Sequence, residues 1–125
     1  MPEATTRVLL VEDNEQNLEL AQFLLEEAGL DVEVARNAFE ARSALSRRPP
    51  AIVLMDIDLP GIDGLDLVME IRRNQDWRRL PVIALTAHAM RGDEERARAA
   101  GCDHYLAKPI SPKKVVEEVR KLLKL

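Results

Sequence analysis

Aromatic side chains are nearly missing from this chain: two Phe, one Trp and one Tyr among 125 residues. That is too few for a platform of stacked bases and argues against a single-stranded nucleic-acid reader. Positive charge is not in excess either. The formal net charge is −4, which speaks against a duplex-binding surface. Acidic and basic residues are interspersed, with no like-charge tail. The single cysteine, Cys102, excludes an internal disulfide and fits a reducing compartment. No apolar run approaches membrane-spanning length. Residues 1–6 have neither a basic region nor an apolar core, so they are not a signal peptide and are expected to be a flexible lead. These absences point to a cytoplasmic protein with no nucleic-acid or membrane partner. What is present, 46% hydrophobic and 32% charged residues, fits one globular domain over residues 1–125. Such a chain can bury roughly two-thirds of its unfolded surface.

One stretch organises the rest. Ala51-Ile52-Val53-Leu54-Met55 is a continuous apolar run that reads as a strand buried on both faces, and it ends on Asp56. Pro60-Gly61 turns the chain, and Asp63-Gly64 opens a helix. A buried strand does not end on a charge unless the charge is used or paired. Val8 to Val11 is a second such strand, ending at Glu12-Asp13. Asn14 caps the helix after it, with Leu18, Ala21, Leu25 and Ala28 at helical spacing, and Gly29 stops it. Residues 31–35 alternate as an edge strand would. Asn37 and Glu40 form a capping box for a helix to about Ser46. Residues 81–85 make a fourth strand ending at Thr86, and residues 103–107 a fifth ending at Lys108. Short helices follow both, the last capped by Ser111 with Pro112 at its first position. Five βα units joined by short right-handed connections predict an α/β fold, a doubly wound parallel five-stranded sheet covered by helices on both faces.

Every polar group that could do chemistry stands at the carboxyl end of a strand: Glu12, Asp13, Asp56, Thr86 and Lys108. Parallel strands bring these ends to one edge, where ligands of open α/β sheets bind. Three carboxylates crowded there need counter-cations. Lys108 supplies one, and a divalent metal the other; all-oxygen ligands point to Mg²⁺. A carboxylate nucleophile beside Mg²⁺ suits aspartyl-phosphate formation. The metal and Lys108 can hold two phosphoryl oxygens, and the Thr86 hydroxyl can reach a third.

The motifs Val11-Glu12-Asp13-Asn14, Met55 to Gly64, Leu85-Thr86-Ala87 and Lys108-Pro109 together resemble the receiver domains of two-component response regulators. The likeness runs from Val8 to Leu123. Residues 87–96 and 101–105 look like the single-domain DivK-type regulators, and receivers of hybrid histidine kinases share much of this text. The resemblance implies the flavodoxin-like strand order 2-1-3-4-5, an order the family itself exemplifies. It implies phosphorylation at Asp56, Mg²⁺ held by Glu12, Asp13, Asp56 and the backbone carbonyl of Asp58, and phosphate contacts from Thr86, Ala87 and Lys108. It makes Thr86 and Tyr105 a switch pair and Lys108-Pro109 a cis peptide bond. The expected donor is a histidine kinase or a histidine phosphotransfer protein. The expected output is a protein target at the face of the fourth helix, fifth strand and fifth helix, with no output domain in these 125 residues and no turnover of external substrates.

Plainer readings compete. Asp58 alone is a solvated loop acid, Tyr105 a packing residue, and Cys102 a small buried filler. An Asp-nucleophile, Mg²⁺-dependent phosphatase would use Asp58, two residues past the nucleophile, as its second acid, but it needs a capping insert this chain is too short to hold. A phosphorylation-independent adaptor would have no use for the acidic pair, Thr86 and Lys108.

Overall fold

The computed structural model describes residues 6–58, 64–86, 92–108 and 111–124, without the side chains of Asp93 and Pro112. Ten elements alternate: β1 Arg7–Val11, α1 Glu15–Glu27, β2 Asp31–Ala35, α2 Ala38–Arg47, β3 Ile52–Asp56, α3 Gly64–Arg73, β4 Val82–Thr86, α4 Asp93–Ala100, β5 His104–Ala107 and α5 Pro112–Leu123. The strands form one parallel sheet in the order β2-β1-β3-β4-β5. β3 and β4 are buried at every residue, as their unbroken apolar runs predict. The alternating strand β2 lies at one edge, also as predicted.

Side chains alternate across the sheet and build two cores. On one face Leu9, Val11, Val53, Met55, Val82 and Ala84 meet residues of α2, α3 and α4. On the other, Val8, Leu10, Ile52, Leu54, Ile83 and Leu85 meet α1 and α5. The stripe predicted for α1 buries Leu18 and Leu25, while Leu20 and Phe23 face outward at 55% and 58% exposure.

The helix ends follow the sequence signals. Asn14 Oδ1 accepts from the Asn17 N–H at 3.0 Å and Asn37 Oδ1 from the Glu40 N–H at 2.8 Å. The capping box closes one residue early, because Glu40 reaches back to the N–H of Arg36 (2.8 Å) rather than to that of Asn37. The Ser111 hydroxyl accepts the Lys114 N–H at the start of α5. At the sheet edge away from the strands' carboxyl ends, Arg72 ties α3 to its neighbours. Its guanidinium donates to the carbonyls of Gly101 (2.8 Å), Arg78 (3.0 Å) and Leu80 (2.6 Å) and to Asp103 Oδ2 (3.0 Å). Trp77 is half-buried against the α2–α4 core.

Candidate functional site: an acidic pocket at the sheet edge

Register brings the candidate residues together. Val11 pairs with Met55, so the residues that follow them, Glu12 and Asp56, lie side by side. Asp56 pairs with Leu85, which puts Thr86 one step beyond. Thr86 pairs with Ala107, which puts Lys108 one step beyond that. Three backbone bonds carry the ladders past the strand ends: Glu12 N–H to Ala35 O at 2.9 Å, Ile57 N–H to Leu85 O at 2.9 Å and Lys108 N–H to Thr86 O at 2.6 Å.

The expected charge pattern forms. Glu12 and Asp56 are each 1% exposed, and Asp13 stands exposed at the rim. The Lys108 ammonium lies 2.9 Å from Glu12 Oε1 and 2.9 Å from Asp56 Oδ2. The other oxygens are also held. Glu12 Oε2 accepts the Asn14 N–H at 3.1 Å, and Asp56 Oδ1 accepts the Asp58 N–H at 2.8 Å. Burial, foremost, raises the Glu12 carboxyl above its ordinary range. Asp56 adds to the rise, while Lys108 and the Asn14 N–H oppose it. For Lys108, burial pulls the ammonium's pKa down, but the bonds to Glu12 and Asp56 outweigh it and leave the value raised.

Carboxylate oxygens of Glu12, Asp13 and Asp56 lie within 4.8 Å of one another. Octahedral Mg²⁺ places neighbouring ligand oxygens about 3 Å apart and opposite ones about 4 Å apart. Three hard anionic oxygens against a single ammonium leave negative charge in excess in a largely buried place. The residues present therefore fit a divalent cation.

Thr86 is fully buried, and its hydroxyl donates to Asp58 Oδ2 at 3.2 Å. Asp58 is thus exposed, as its solvated-acid reading expects, and is also joined to both the acceptor strand and Thr86. Nothing in the one-dimensional pattern signalled this bond, which spans 28 residues. Tyr105 is half-buried on the α2–α4 side of the sheet, opposite Ala84 and on the same face as Thr86. Gly64 is the second feature the sequence reading understated. A Cβ there would sit 2.5 Å from the Asp56 carbonyl oxygen and 2.6 Å from Ile57 Cα, so only glycine lets α3 start against the acceptor strand's end. The clue was a glycine at a helix start eight residues past the aspartate. Ala87, Pro109 with its expected cis bond, Pro60-Gly61 and Asp63 lie outside the described residues, as do residues 1–5 of the expected lead.

A doubly wound 2-1-3-4-5 sheet that gathers two acids, an aspartate, a hydroxyl and a lysine at its carboxyl edge defines a class, and residues 8–120 match the response regulator receiver domain family. The chain belongs to that family, a phosphoacceptor unit of two-component signalling. Particular relatives narrow the likeness. The polar-differentiation response regulator DivK of Brucella ovis is 40% identical over 119 residues, spanning 95% of this chain and 97% of that protein. The receiver domain of a sensor histidine kinase from Pseudomonas aeruginosa PAO1, solved with a magnesium ion coordinated in its active site cleft, is 34% identical with a TM-score of 0.89; the match covers 98% of this chain and 100% of that one. The receiver domain of a signal transduction histidine kinase from Syntrophus aciditrophicus is 32% identical with a TM-score of 0.88, over 96% and 91% of the two chains. Receivers of this kind are signalling proteins that interact with histidine kinases or phosphotransfer proteins. No helix among the described residues is long and apolar enough to cross a membrane.

Proposed function

We propose that Asp56 is the phosphoacceptor of a single receiver unit spanning residues 1–125. The observation that carries this is the Lys108 ammonium, 2.9 Å from both Glu12 and Asp56 at the carboxyl edge of the sheet. An Asp56 carboxylate oxygen attacks the phosphorus of a phosphohistidine on a histidine kinase or phosphotransfer protein. The new O–P bond forms as the P–N bond breaks, and the leaving imidazole keeps the electron pair and takes up a proton. Lys108 stays beside the acceptor and meets the charge of the incoming group. Glu12, Asp13 and Asp56, with the Asp58 backbone carbonyl, would hold Mg²⁺, which supplies charge neutralisation for the transferred group. Thr86 and Ala87 provide the remaining phosphate contacts. Movement of Thr86 opens space on the face it shares with Tyr105, and the ring's rearrangement alters the surface of α4, β5 and α5 that a protein target reads. The unit works in the cytoplasm and turns over no external substrate.

Incubation with acetyl phosphate and Mg²⁺, followed by intact-mass or phosphate-affinity electrophoresis, tests the site. Wild-type protein gains one acid-stable, base-labile phosphoryl group, and Asp56→Asn gains none. Labelling of Asp56→Asn at the wild-type rate refutes the assignment. The likeness to two receivers of histidine kinases favours a second reading, in which the unit serves a hybrid kinase and receives the group from its own chain.

A further inference from the structure

We propose that the Asp58 carboxylate is a latch, a positioning group that holds the Thr86 hydroxyl away from the acceptor until Asp56 is phosphorylated. The inference rests on the reading of Asp56 as phosphoacceptor. A threonine hydroxyl has one hydrogen to donate. In the structure Thr86 Oγ1 gives it to Asp58 Oδ2 at 3.2 Å. A phosphoryl group on Asp56 would ask for the same hydrogen. The two bonds exclude each other, so Thr86 has two discrete states instead of a continuum.

The same residue also senses the acceptor. The Asp58 backbone N–H donates to Asp56 Oδ1 at 2.8 Å, so the latch and the phosphorylation site share one short segment of chain. The two short ion pairs of Lys108 go to Glu12 and Asp56. Asp58 itself sits at the exposed rim. Before modification its carboxylate is a charged acceptor for a buried hydroxyl, at 3.2 Å a long bond that a closer acceptor can displace. Once Asp56 carries a phosphoryl group, a second anion stands beside Asp58. Repulsion between the two weakens the hold on Thr86 as the phosphoryl oxygens become better acceptors. The latch therefore suppresses the switched state without signal and releases with it, a population shift biased by this hydrogen bond.

Removing the carboxylate should switch Thr86 in part without any phosphate. The Thr86 methyl resonance of Asp58→Ala, in metal-free buffer, is expected to move toward its position in wild type saturated with Mg²⁺ and beryllofluoride. Asp58→Ala should also take up phosphoryl from acetyl phosphate about three- to tenfold faster, the range expected for losing one hydrogen bond of ordinary net strength. In a Thr86→Val background the same substitution should change the rate by less than about twofold, since the bond is already gone. Asp58→Asn, which keeps the loop's shape and weakens the bond, repeats the cycle with the same sign if the alanine variant loses its fold. An unmoved methyl resonance overturns the latch. So does an acceleration that persists undiminished beside Thr86→Val, because Asp58 would then act through its charge on the donor. Failure of wild type to take up phosphoryl at all overturns the underlying assignment of Asp56, whereas normal uptake with an additive cycle removes the latch alone.

Discussion

Replacing Lys108 with methionine isolates the electrostatics of the pocket. The substitution keeps a long apolar stem and deletes the ammonium that touches Glu12 and Asp56, both 1% exposed. Breaking a buried pair from one side costs about 3–5 kcal/mol if the carboxylates stay charged. Protonating Glu12 is the less costly escape. Holding a carboxyl neutral at about pH 7, against an unfolded value of about 4.3, costs about 1.36 × 2.7, or about 3.7 kcal/mol; at about pH 5 it costs about 1 kcal/mol. The sign follows from the direction of the shift. The folded pKa of Glu12 is already raised, chiefly by burial, so the native state binds the extra proton. Its stability falls as pH climbs from the ordinary carboxylate range through the raised folded value. Lys108 opposes that rise, so Lys108→Met widens the window upward. The lysine's own contribution, with its folded pKa raised, is fully present below the ordinary lysine range and does not tilt the comparison. Urea unfolding in chelator, followed by far-UV circular dichroism, should show a loss of about 3–4 kcal/mol near pH 7 and about 1 kcal/mol near pH 5. Mg²⁺ at a hundred times its dissociation constant should return about 2.7 kcal/mol, and it should bind the variant more tightly than wild type because the opposing ammonium is gone. A loss under about 1 kcal/mol near neutral pH, or one equal at both pH values, refutes the picture of buried, mutually repelling acids.

Three other perturbations separate the glycine contact, the Arg72 tie and the buried thiol. Gly64→Ala puts a methyl 2.5 Å from the Asp56 carbonyl oxygen; overpacking against backbone should cost at least about 1–3 kcal/mol and slow phosphoryl uptake, and an alanine variant as stable and as quickly labelled as wild type would show that the contact relaxes freely. Arg72→Ala removes the guanidinium donor from three carbonyls and from Asp103, whose Oδ2 keeps the Val82 N–H at 2.8 Å; it should lower stability by about 2–3 kcal/mol while leaving uptake unchanged, and impaired uptake at full stability would contradict its assignment as a purely structural tie. Burial pushes the Cys102 thiol up to about 11, so the native protein should resist a disulfide reagent at pH 8 until denatured. With the unfolded thiol ionising first, stability should also decline between about pH 9 and pH 11, by about 2–3 kcal/mol, and Cys102→Ala should flatten that decline.

The elements of the fold were legible because each rests on a local signal. Uninterrupted apolar runs marked β3 and β4, alternation marked β2 as an edge, and Asn14, Asn37 and Ser111 each cap the helix they precede. The site was legible for a different reason. In a parallel sheet the carboxyl end of every strand comes to the same edge, so a charged residue after each apolar run is enough to predict that Glu12, Asp56 and Lys108 meet. The strand order itself came with the family resemblance, since hydrophobic pattern does not say which strand lies beside which. What stayed hidden depends on atoms far apart in sequence. The Arg72 tie joins carbonyls six to 29 residues away, and carbonyls are identical in every residue. Gly64 is informative only once the Asp56 carbonyl is known to lie against it.

Asp58 shows how a correct local reading can still miss a function. Its exposure is what a loop acid should have, and its backbone N–H on Asp56 is an ordinary turn. The functional content lies in the hydroxyl it faces, because Thr86 is buried and has a single proton to give. An alanine or serine at position 58 removes no partner of the two Lys108 ion pairs and changes the competition for that proton. Receivers sharing this sheet and this acidic pocket can therefore differ in how far they rest in the switched state through the acceptor strength of the side chain at this position. By that logic, graded substitutions at position 58 (Asp, Asn, Ser, Ala) should order the Thr86 methyl shift by acceptor strength while phosphoryl attachment stays on Asp56. A series with no order would mean that the hydroxyl's position is set by packing against Ala84 and Tyr105 instead.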